Sequence, residues 1–125
     1  MSDSPATPDL DLSFLYDIAD GSNEFVIESI DMLLQQAPES LQHINDSIKT
    51  QDWITAAAAA HKLKPSMGFF GMLISQELLQ EVESLCKAGG QAPTEIASKF
   101  NQAKEIIEIN LKSLVRIKAE KAAGL

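Results

Sequence analysis

The stretch AHKLKPSMGFFG, residues 60–71, decides which fold this chain of 125 residues is expected to adopt. Each helical residue advances by about 100°, so the apolar residues of this stretch and of the preceding turn collect on one side of a helix. That predicted core face comprises Ala56, Ala59, Leu63, Met67 and Phe70, with Ala60 at its edge. His61 and Lys64 fall on the opposite face, which is expected to be exposed, one helical turn apart. The sequence therefore predicts a helix that presents a histidine to approaching molecules.

Apolar residues with helical spacing extend outward from this stretch in both directions. Between Val26 and Ile48 they recur every three or four residues, which predicts a long amphipathic helix that starts at Ser22 or Asn23. Pro38 predicts a kink in that helix, and a break into two helices stays open. A short helix is predicted before it, capped by Asp9 or Asp11, carrying Leu12, Leu15 and Ile18 and ending at Gly21. Three further helices are predicted after it: Trp53 to Gly68, capped by Asp52; Met72 to Ala88; and Pro93 or Thr94 to Ala119.

Four amphipathic helices with short connections bury their apolar faces by packing against each other. We therefore expect an all-α fold, an antiparallel four-helix bundle with a short additional N-terminal helix. The bundle is expected to span residues 9–120. Residues 1–8 are interpreted as a flexible leader, and residues 121–125 as a frayed tail.

Composition excludes several classes of function. A net charge of -8 and a pI near 4.6 disfavour binding to nucleic acid. No apolar run approaches the roughly 18 residues that span a bilayer, and the start Met1–Ser4 lacks the basic and apolar regions of a signal peptide. The single cysteine, Cys86, cannot form an internal disulfide. These observations predict a cytoplasmic protein that contacts no membrane. A monomer is expected.

The residues around His61 suggest chemistry on phosphorus. A neutral imidazole nitrogen can attack phosphorus without a general base, provided that the other ring nitrogen keeps its proton. Lys64 and Lys62 supply positive potential for a phosphoryl group on an otherwise acidic chain. The sequence contains no glycine-rich phosphate loop, metal triad or Ser-His-Asp set, so kinase activity of its own is not expected.

The spacing His61-x-Leu63-Lys64-x-Ser66-x-x-x-x-Gly71, followed by a leucine-rich helix that ends near Cys86, resembles the active-site helix of histidine-containing phosphotransfer (HPt) domains. The resemblance implies that His61 accepts phosphate from one receiver-domain aspartate through its outer nitrogen and passes it to another. It also implies that Lys64 steadies the phosphoryl group, that Glu83 accepts a hydrogen bond from the inner nitrogen, and that Gly71 permits close helix packing. Expected partners are response-regulator receiver domains or a hybrid sensor histidine kinase. Magnesium is expected to come with the receiver, and no metal or cofactor is expected on this chain.

Pro65 departs from this family pattern, which usually has glycine or another small residue after the lysine. The proline lacks the N–H that would bond the His61 carbonyl, so a bend at the site is expected to be possible. This departure favours the alternative function, an adaptor bundle that binds a receiver or another partner through the His61 face and carries no phosphate. In either case the predicted docking patch consists of Ile54, Ala57, Ala58, Lys62, Pro65 and Gly68.

Overall fold

The chain forms five α-helices in a computed structural model that describes residues 9–124. No strand occurs within that range. The predicted leader, residues 1–8, lies outside the described residues. The helices are α1 (Ser13–Ala19), α2 (Asn23–Lys49), α3 (Trp53–Phe69), α4 (Leu73–Lys87) and α5 (Pro93–Ala123).

Helices α2 to α5 form the predicted four-helix bundle, and α1 packs against α2. Helix α2 contacts both α3 and α5, while α4 contacts both α3 and α5, so the four helices surround one core. Each connection inside the bundle is short, which makes consecutive helices antiparallel. Burial of the large apolar side chains stabilises the bundle, at roughly 1.5 to 3 kcal/mol for each. The fully buried ones include Ile30, Ile44, Leu63, Met67, Leu79, Ile96, Phe100 and Ile107.

Side-chain caps begin two of the helices as predicted. The Ser22 hydroxyl accepts a hydrogen bond from the Phe25 N–H at 3.1 Å, and the Asp52 carboxylate accepts one from the Thr55 N–H at 3.2 Å. Helix α2 continues through Pro38 from Asn23 to Lys49, so the break that the sequence left open does not occur. The caps thus set the starts of α2 and of α3, which carries His61.

Asp9 caps a different helix from the one that the sequence predicts. Its carboxylate accepts hydrogen bonds from the Ser75 N–H at 2.9 Å, at the start of α4, and from the Asn110 side-chain amide of α5 at 2.6 Å. The local role at α1 falls to Asp11, which accepts a hydrogen bond from the Ser13 N–H at 3.0 Å. The structure thus selects Asp11 from the two alternatives, whereas local spacing does not show that Asp9 lies against α4 and α5.

Two further expectations about the ends of the chain are wrong. In α1, Ile18 is exposed and Ala19 is buried in its place. Helix α5 continues to Ala123, four residues beyond its predicted end at Ala119. The Lys121 ammonium lies 4.7 Å from the centre of the Tyr16 ring, a cation–π contact that joins the last turns of α5 to α1. This tertiary contact holds residues that sequence periodicity assigns to a frayed tail.

Gly71 lies in the turn between α3 and α4, where its backbone φ is +70°. A Cβ atom at this position would collide with the backbone carbonyl of Asp11. The Asp11 N–H in turn donates to the Phe70 carbonyl at 3.2 Å. Close packing of helices was the expected reason for glycine here. That expectation is wrong, because the close neighbour is Asp11 in the segment before α1.

We expect the Gly71→Ala substitution to lower the free energy of unfolding by about 2 kcal/mol or more, because it adds a collision to an unfavourable backbone conformation. The Gly21→Ala substitution is the matched control. Gly21 also has a positive φ, +87°, but a Cβ atom there would meet nothing within 4 Å. Urea unfolding of both variants measures the difference, and equal losses would contradict the packing role of Gly71.

Candidate functional site

His61 lies in the middle of α3 with its side chain 68% exposed. The Asp52 cap and the alanine run that follows favour helix in this segment. Leu63, Met67 and Phe70 are buried on the core side, as the sequence predicts. The imidazole is therefore held by a well-anchored helix while most of its surface stays accessible.

One nitrogen of the imidazole contacts a buried carboxylate. Nδ1 of His61 lies 3.0 Å from Oε2 of Glu83, and the Glu83 side chain is only 3% exposed. An ionised carboxylate accepts hydrogen bonds and donates none, so this contact assigns the proton of a neutral imidazole to Nδ1. Nε2 then keeps an unshared electron pair. The structure thus brings together the two residues that the family resemblance pairs.

Two lysines bind the same carboxylate. Nζ of Lys64 lies 2.7 Å from Oε1 of Glu83, and Nζ of Lys87 lies 2.7 Å from Oε2, the oxygen that also contacts His61. Lys64 additionally donates to Oε1 of Gln80. One buried carboxylate therefore holds the histidine and two ammonium groups, and we call these four residues, His61, Lys64, Glu83 and Lys87, the Glu83 cluster.

The charges of the cluster keep Glu83 ionised. Burial alone would raise the pKa of this carboxyl. Hydrogen bonds from Lys64 and Lys87, together with the positive charges of Lys64 and of a protonated His61, outweigh burial and lower the pKa to about 2. Glu83 is therefore a carboxylate throughout the neutral pH range, as the assignment of the Nδ1 proton requires.

The structure places some predicted site residues differently from the sequence. Lys64 was expected on the exposed face, but its side chain is only 16% exposed because it turns toward α4. Ala57 is buried in the core. Gly68 lies against α4, where an added Cβ would be 2.7 Å from the side-chain amide of Gln76. Helix α4 approaches this side of α3 so closely that Lys64, Ala57 and Gly68 belong to the contact between the two helices.

The remaining residues of the predicted docking patch surround His61 on the surface. Ile54, Ala58, Lys62 and Pro65 are all exposed. Helix α3 continues through Pro65 to Phe69, so the proline does not interrupt the site. The side chain of Gln76 reaches the neighbouring carbonyl of Lys64 at 3.4 Å, a long hydrogen bond from α4.

Sequence reasoning missed Lys87 and Gln80 as parts of the site. Lys87 follows Glu83 by four residues and Gln80 precedes it by three, so all three side chains share one face of α4. This spacing is visible in the sequence. It gains meaning only once Glu83 is known to face His61, because charged residues four positions apart are common on solvated helices.

Two other kinds of site are not found among residues 9–124. None of the helices there is long and apolar enough to cross a membrane. The same part of the chain contains no group of three or more histidine, cysteine, aspartate or glutamate side chains that could hold a metal ion.

The fold and the Glu83 cluster together define a helical-bundle domain with an accessible, oriented histidine. Comparison with known proteins identifies its family. The family model for the Hpt domain matches residues 28–114, which is more than half of the chain and includes His61 and Glu83. The chain belongs to the Hpt domain family.

The chain is also similar to a known protein in sequence and to a solved structure in fold. The phosphorelay intermediate protein rdeA of Dictyostelium discoideum is 26% identical over 81 residues, which cover 65% of this chain. The match spans 32% of that protein, about a third of its length. The crystal structure of the HPt domain of an Hpt sensor hybrid histidine kinase from Shewanella has the same fold, with a TM-score of 0.67 at 22% identity. That comparison covers 89% of this chain and 94% of the other.

Proposed function

We propose that this Hpt domain carries phosphoryl groups in a two-component phosphorelay, with His61 as the phosphoacceptor. In this proposal His61 takes the phosphoryl group from the aspartyl phosphate of one receiver domain and gives it to the aspartate of another. One observation carries the proposal: a buried, ionised carboxylate holds Nδ1 of His61 while the rest of the ring is exposed. Such an arrangement orients a nucleophile toward a partner protein.

The proposed transfer step requires few groups from this chain. The electron pair of Nε2 attacks phosphorus, an N–P bond forms, and the bond between phosphorus and the aspartate oxygen breaks to leave a carboxylate on the receiver. The Nδ1 proton stays in its hydrogen bond to Glu83, so the positive charge that develops on the ring is compensated there. Return of the phosphoryl group to a second receiver reverses these changes. Positioning and charge compensation are the main requirements of phosphoryl transfer.

Lys64 and Lys87 are proposed to compensate the charge of the phosphoryl group. Both ammonium groups lie within 2.7 Å of Glu83, and Lys87 shares its carboxylate oxygen with His61. Each ammonium group has three N–H donors, so it can donate a hydrogen bond to an oxygen of the phosphoryl group on His61 while it still contacts Glu83. Lys87 is 65% exposed, so its side chain is the freer of the two to follow the group.

The partners and the remaining properties belong to the same proposal. We propose that receiver domains, alone or within a hybrid sensor histidine kinase, contact the exposed residues around the histidine: Ile54, Ala58, Lys62 and Pro65. The receiver would supply the magnesium ion, and this chain would act as a carrier without cofactor or kinase activity of its own. A cytoplasmic location and a monomeric state stay predictions from the sequence.

Incubation with a receiver domain carrying labelled aspartyl phosphate tests the proposal. We expect label on this chain that acid removes and base does not, as for a phosphoramidate bond on histidine. A chain that binds receivers yet takes up no label from any of them is the adaptor of the alternative function. Label of that kind on a residue other than His61 would also overturn the proposal.

Substitutions of the two lysines are expected to slow phosphotransfer equally but to differ in their effect on stability. We expect Lys64→Ala and Lys87→Ala each to slow phosphotransfer in both directions by about tenfold, because each removes a cation from the cluster. Lys64→Ala is also expected to lower the free energy of unfolding by about 2 kcal/mol, since Lys64 is largely buried against Glu83. Lys87→Ala, at an exposed position, is expected to cost less than about 1 kcal/mol.

Rapid-quench transfer kinetics and urea unfolding measure both quantities. Lys104→Ala is the matched control, because Lys104 forms an ion pair with Glu108 on α5, outside the Glu83 cluster. It should alter neither the transfer rate nor, beyond a few tenths of a kcal/mol, the stability. Normal transfer in both cluster variants would contradict the proposed role of the lysines.

A further inference from the structure

Lys64 is held by two acceptors on α4 that differ in strength. Its ammonium contacts the buried carboxylate of Glu83, with Nζ 2.7 Å from Oε1, and also donates to the amide oxygen Oε1 of Gln80. A hydrogen bond from an ammonium to a carboxylate joins two opposite charges, whereas one to an amide joins a charge to a dipole. Glu83 is buried, and Gln80 is exposed. The contact with Gln80 is therefore the weaker of the two and the easier one to replace.

The amide of Gln80 has the orientation that this contact requires. An ammonium only donates hydrogen bonds, so it faces the amide oxygen and not the amide NH2 group. On the other side, Nε2 of Gln80 donates to the Ser84 hydroxyl at 3.0 Å, one turn further along α4. Gln80 thus presents an uncharged oxygen to Lys64, although nearby positions of α4 carry the acidic Glu77 and Glu81.

A phosphoryl group on His61 would compete for the same ammonium. His61 and Lys64 contact the two oxygens of one carboxylate, that of Glu83, so a group bound to the ring lies on the side of the ammonium. A phosphoryl oxygen carries negative charge and accepts from an ammonium more strongly than an amide oxygen does. Of the two acceptors that hold Lys64, the neutral amide of Gln80 is the one that such an oxygen displaces.

We propose that Gln80 is a replaceable acceptor for Lys64, and that it sets how strongly His61 holds the phosphoryl group. This proposal rests on the proposed function and adds a residue that adjusts its equilibrium. When His61 is phosphorylated, the hydrogen bond from Nζ of Lys64 to Oε1 of Gln80 breaks, and one from Nζ to a phosphoryl oxygen forms. The released amide oxygen is hydrated, because Gln80 is exposed. Gln80 acts through Lys64 and is therefore a positioning residue.

Such a competitor suits a carrier that must give up the group it accepts. A phosphorylated form that is much more stable than the aspartyl phosphate of the receiver would end the relay at this chain. The hydrogen bond to Gln80 must be broken before Lys64 binds the phosphoryl group in its place, so its free energy is subtracted from that binding. Gln80 therefore lowers the affinity for the phosphoryl group without removing the cation that receives it.

Two substitutions of Gln80 test the proposal through shifts of opposite sign. Gln80→Met keeps the length of the side chain and removes the competing oxygen, so the equilibrium of transfer from a receiver should move about fivefold toward phosphorylated His61. Gln80→Glu supplies a charged acceptor that does not give way, so the equilibrium should move about tenfold toward the receiver. Rapid-quench rate constants in both directions give the equilibrium constant. The reverse reaction starts from the chain phosphorylated with phosphoramidate, and the receiver is the fastest donor to the wild type in a panel.

Gln102→Met and Gln102→Glu are the matched controls. Gln102 is also exposed, and its amide also donates to a serine hydroxyl one turn away, that of Ser98 at 3.5 Å. This pair lies on α5, outside the Glu83 cluster. Both control substitutions should change the equilibrium constant less than twofold. In a Lys64→Ala background, Gln80→Met should have no effect, because the amide competes only through the ammonium.

Shifts in the same direction for Gln80→Met and Gln80→Glu would indicate an ordinary structural role and overturn the proposal. An unchanged equilibrium in Gln80→Met, or a shift that persists in the Lys64→Ala background, would also overturn it. Circular dichroism of each variant measures the helical content, which should equal that of the wild type because both glutamines are exposed. Failure of the proposed function looks different, because the wild type would then take label from neither the receiver nor phosphoramidate.

Discussion

His61→Gln is expected to abolish phosphoryl acceptance while the bundle stays folded. A glutamine amide has no nucleophilic nitrogen, so label from a phosphorylated receiver should fall at least about a thousandfold. The position is 68% exposed, and glutamine can still donate a hydrogen bond toward Glu83, so the thermal midpoint should change by only a few degrees. Phosphate transfer assays and circular dichroism on the same samples measure both effects.

The second histidine of the chain provides the control. His43 lies exposed on α2 and is not part of the Glu83 cluster. The substitution His43→Gln should leave labelling and stability unchanged. Persistence of acid-labile label in His61→Gln, or its loss in His43→Gln, would show that the phosphoacceptor has been assigned to the wrong residue.

Substitutions of Glu83 are expected to affect both stability and transfer. Glu83→Leu leaves the largely buried ammonium of Lys64 without its carboxylate, which should cost about 3 kcal/mol, and frees the His61 ring from its orienting hydrogen bond. Transfer should slow by at least about tenfold as a result. Glu83→Gln keeps an oxygen that can accept from Nδ1 and removes only the charge. We therefore expect Glu83→Gln to retain more of the transfer rate than Glu83→Leu, and equal rates would contradict the orienting role.

The pH dependence of the unfolding free energy tests whether Glu83 stabilises the folded protein through its negative charge and not only through its size and shape. The pKa of this carboxyl is lowered to about 2 in the folded protein, compared with about 4.3 for an unperturbed glutamate. The unfolded chain therefore binds a proton first as the pH falls, and the stabilisation by ionised Glu83 is complete above about pH 4.3 and lost toward pH 2. The difference in unfolding free energy between wild type and Glu83→Gln should shrink by up to about 1.4 kcal/mol per pH unit across that interval. Urea unfolding at a series of pH values measures it, and a constant difference would mean that the cluster does not hold Glu83 ionised.

The helical content and the core of this protein could be predicted from its sequence because both depend on local periodicity. The caps at Ser22 and Asp52 and the buried positions of α2 follow from residues within one or two turns of each other. The break that the sequence left open at Pro38 shows the limit of that reasoning. A proline removes one hydrogen bond, but the packing of a long amphipathic helix is enough to keep it continuous.

The candidate site could be predicted only in part, because it is formed between two helices. The resemblance to HPt domains suggested the pairing of His61 with Glu83, which periodicity alone does not show. The orientation of Lys64 was missed because its place on α3 suggests exposure, whereas the carboxylate of Glu83 draws the ammonium toward α4. Lys87 was missed for a different reason, because its pairing with Glu83 one turn away on α4 gains significance only through the contact of Glu83 with His61.

Asp9 joins segments that lie far apart along the chain. The hydrogen bonds of this carboxylate join residues that are 66 and 101 positions apart in the chain. Closing such long loops costs conformational entropy, which is offset only when the helices of the bundle have packed together. These hydrogen bonds therefore form in the cooperative step of folding and not in the early formation of single helices. The first turn of α4, the helix that holds Glu83 beside His61, thus gains its side-chain cap only when the segment before α1 has docked against it.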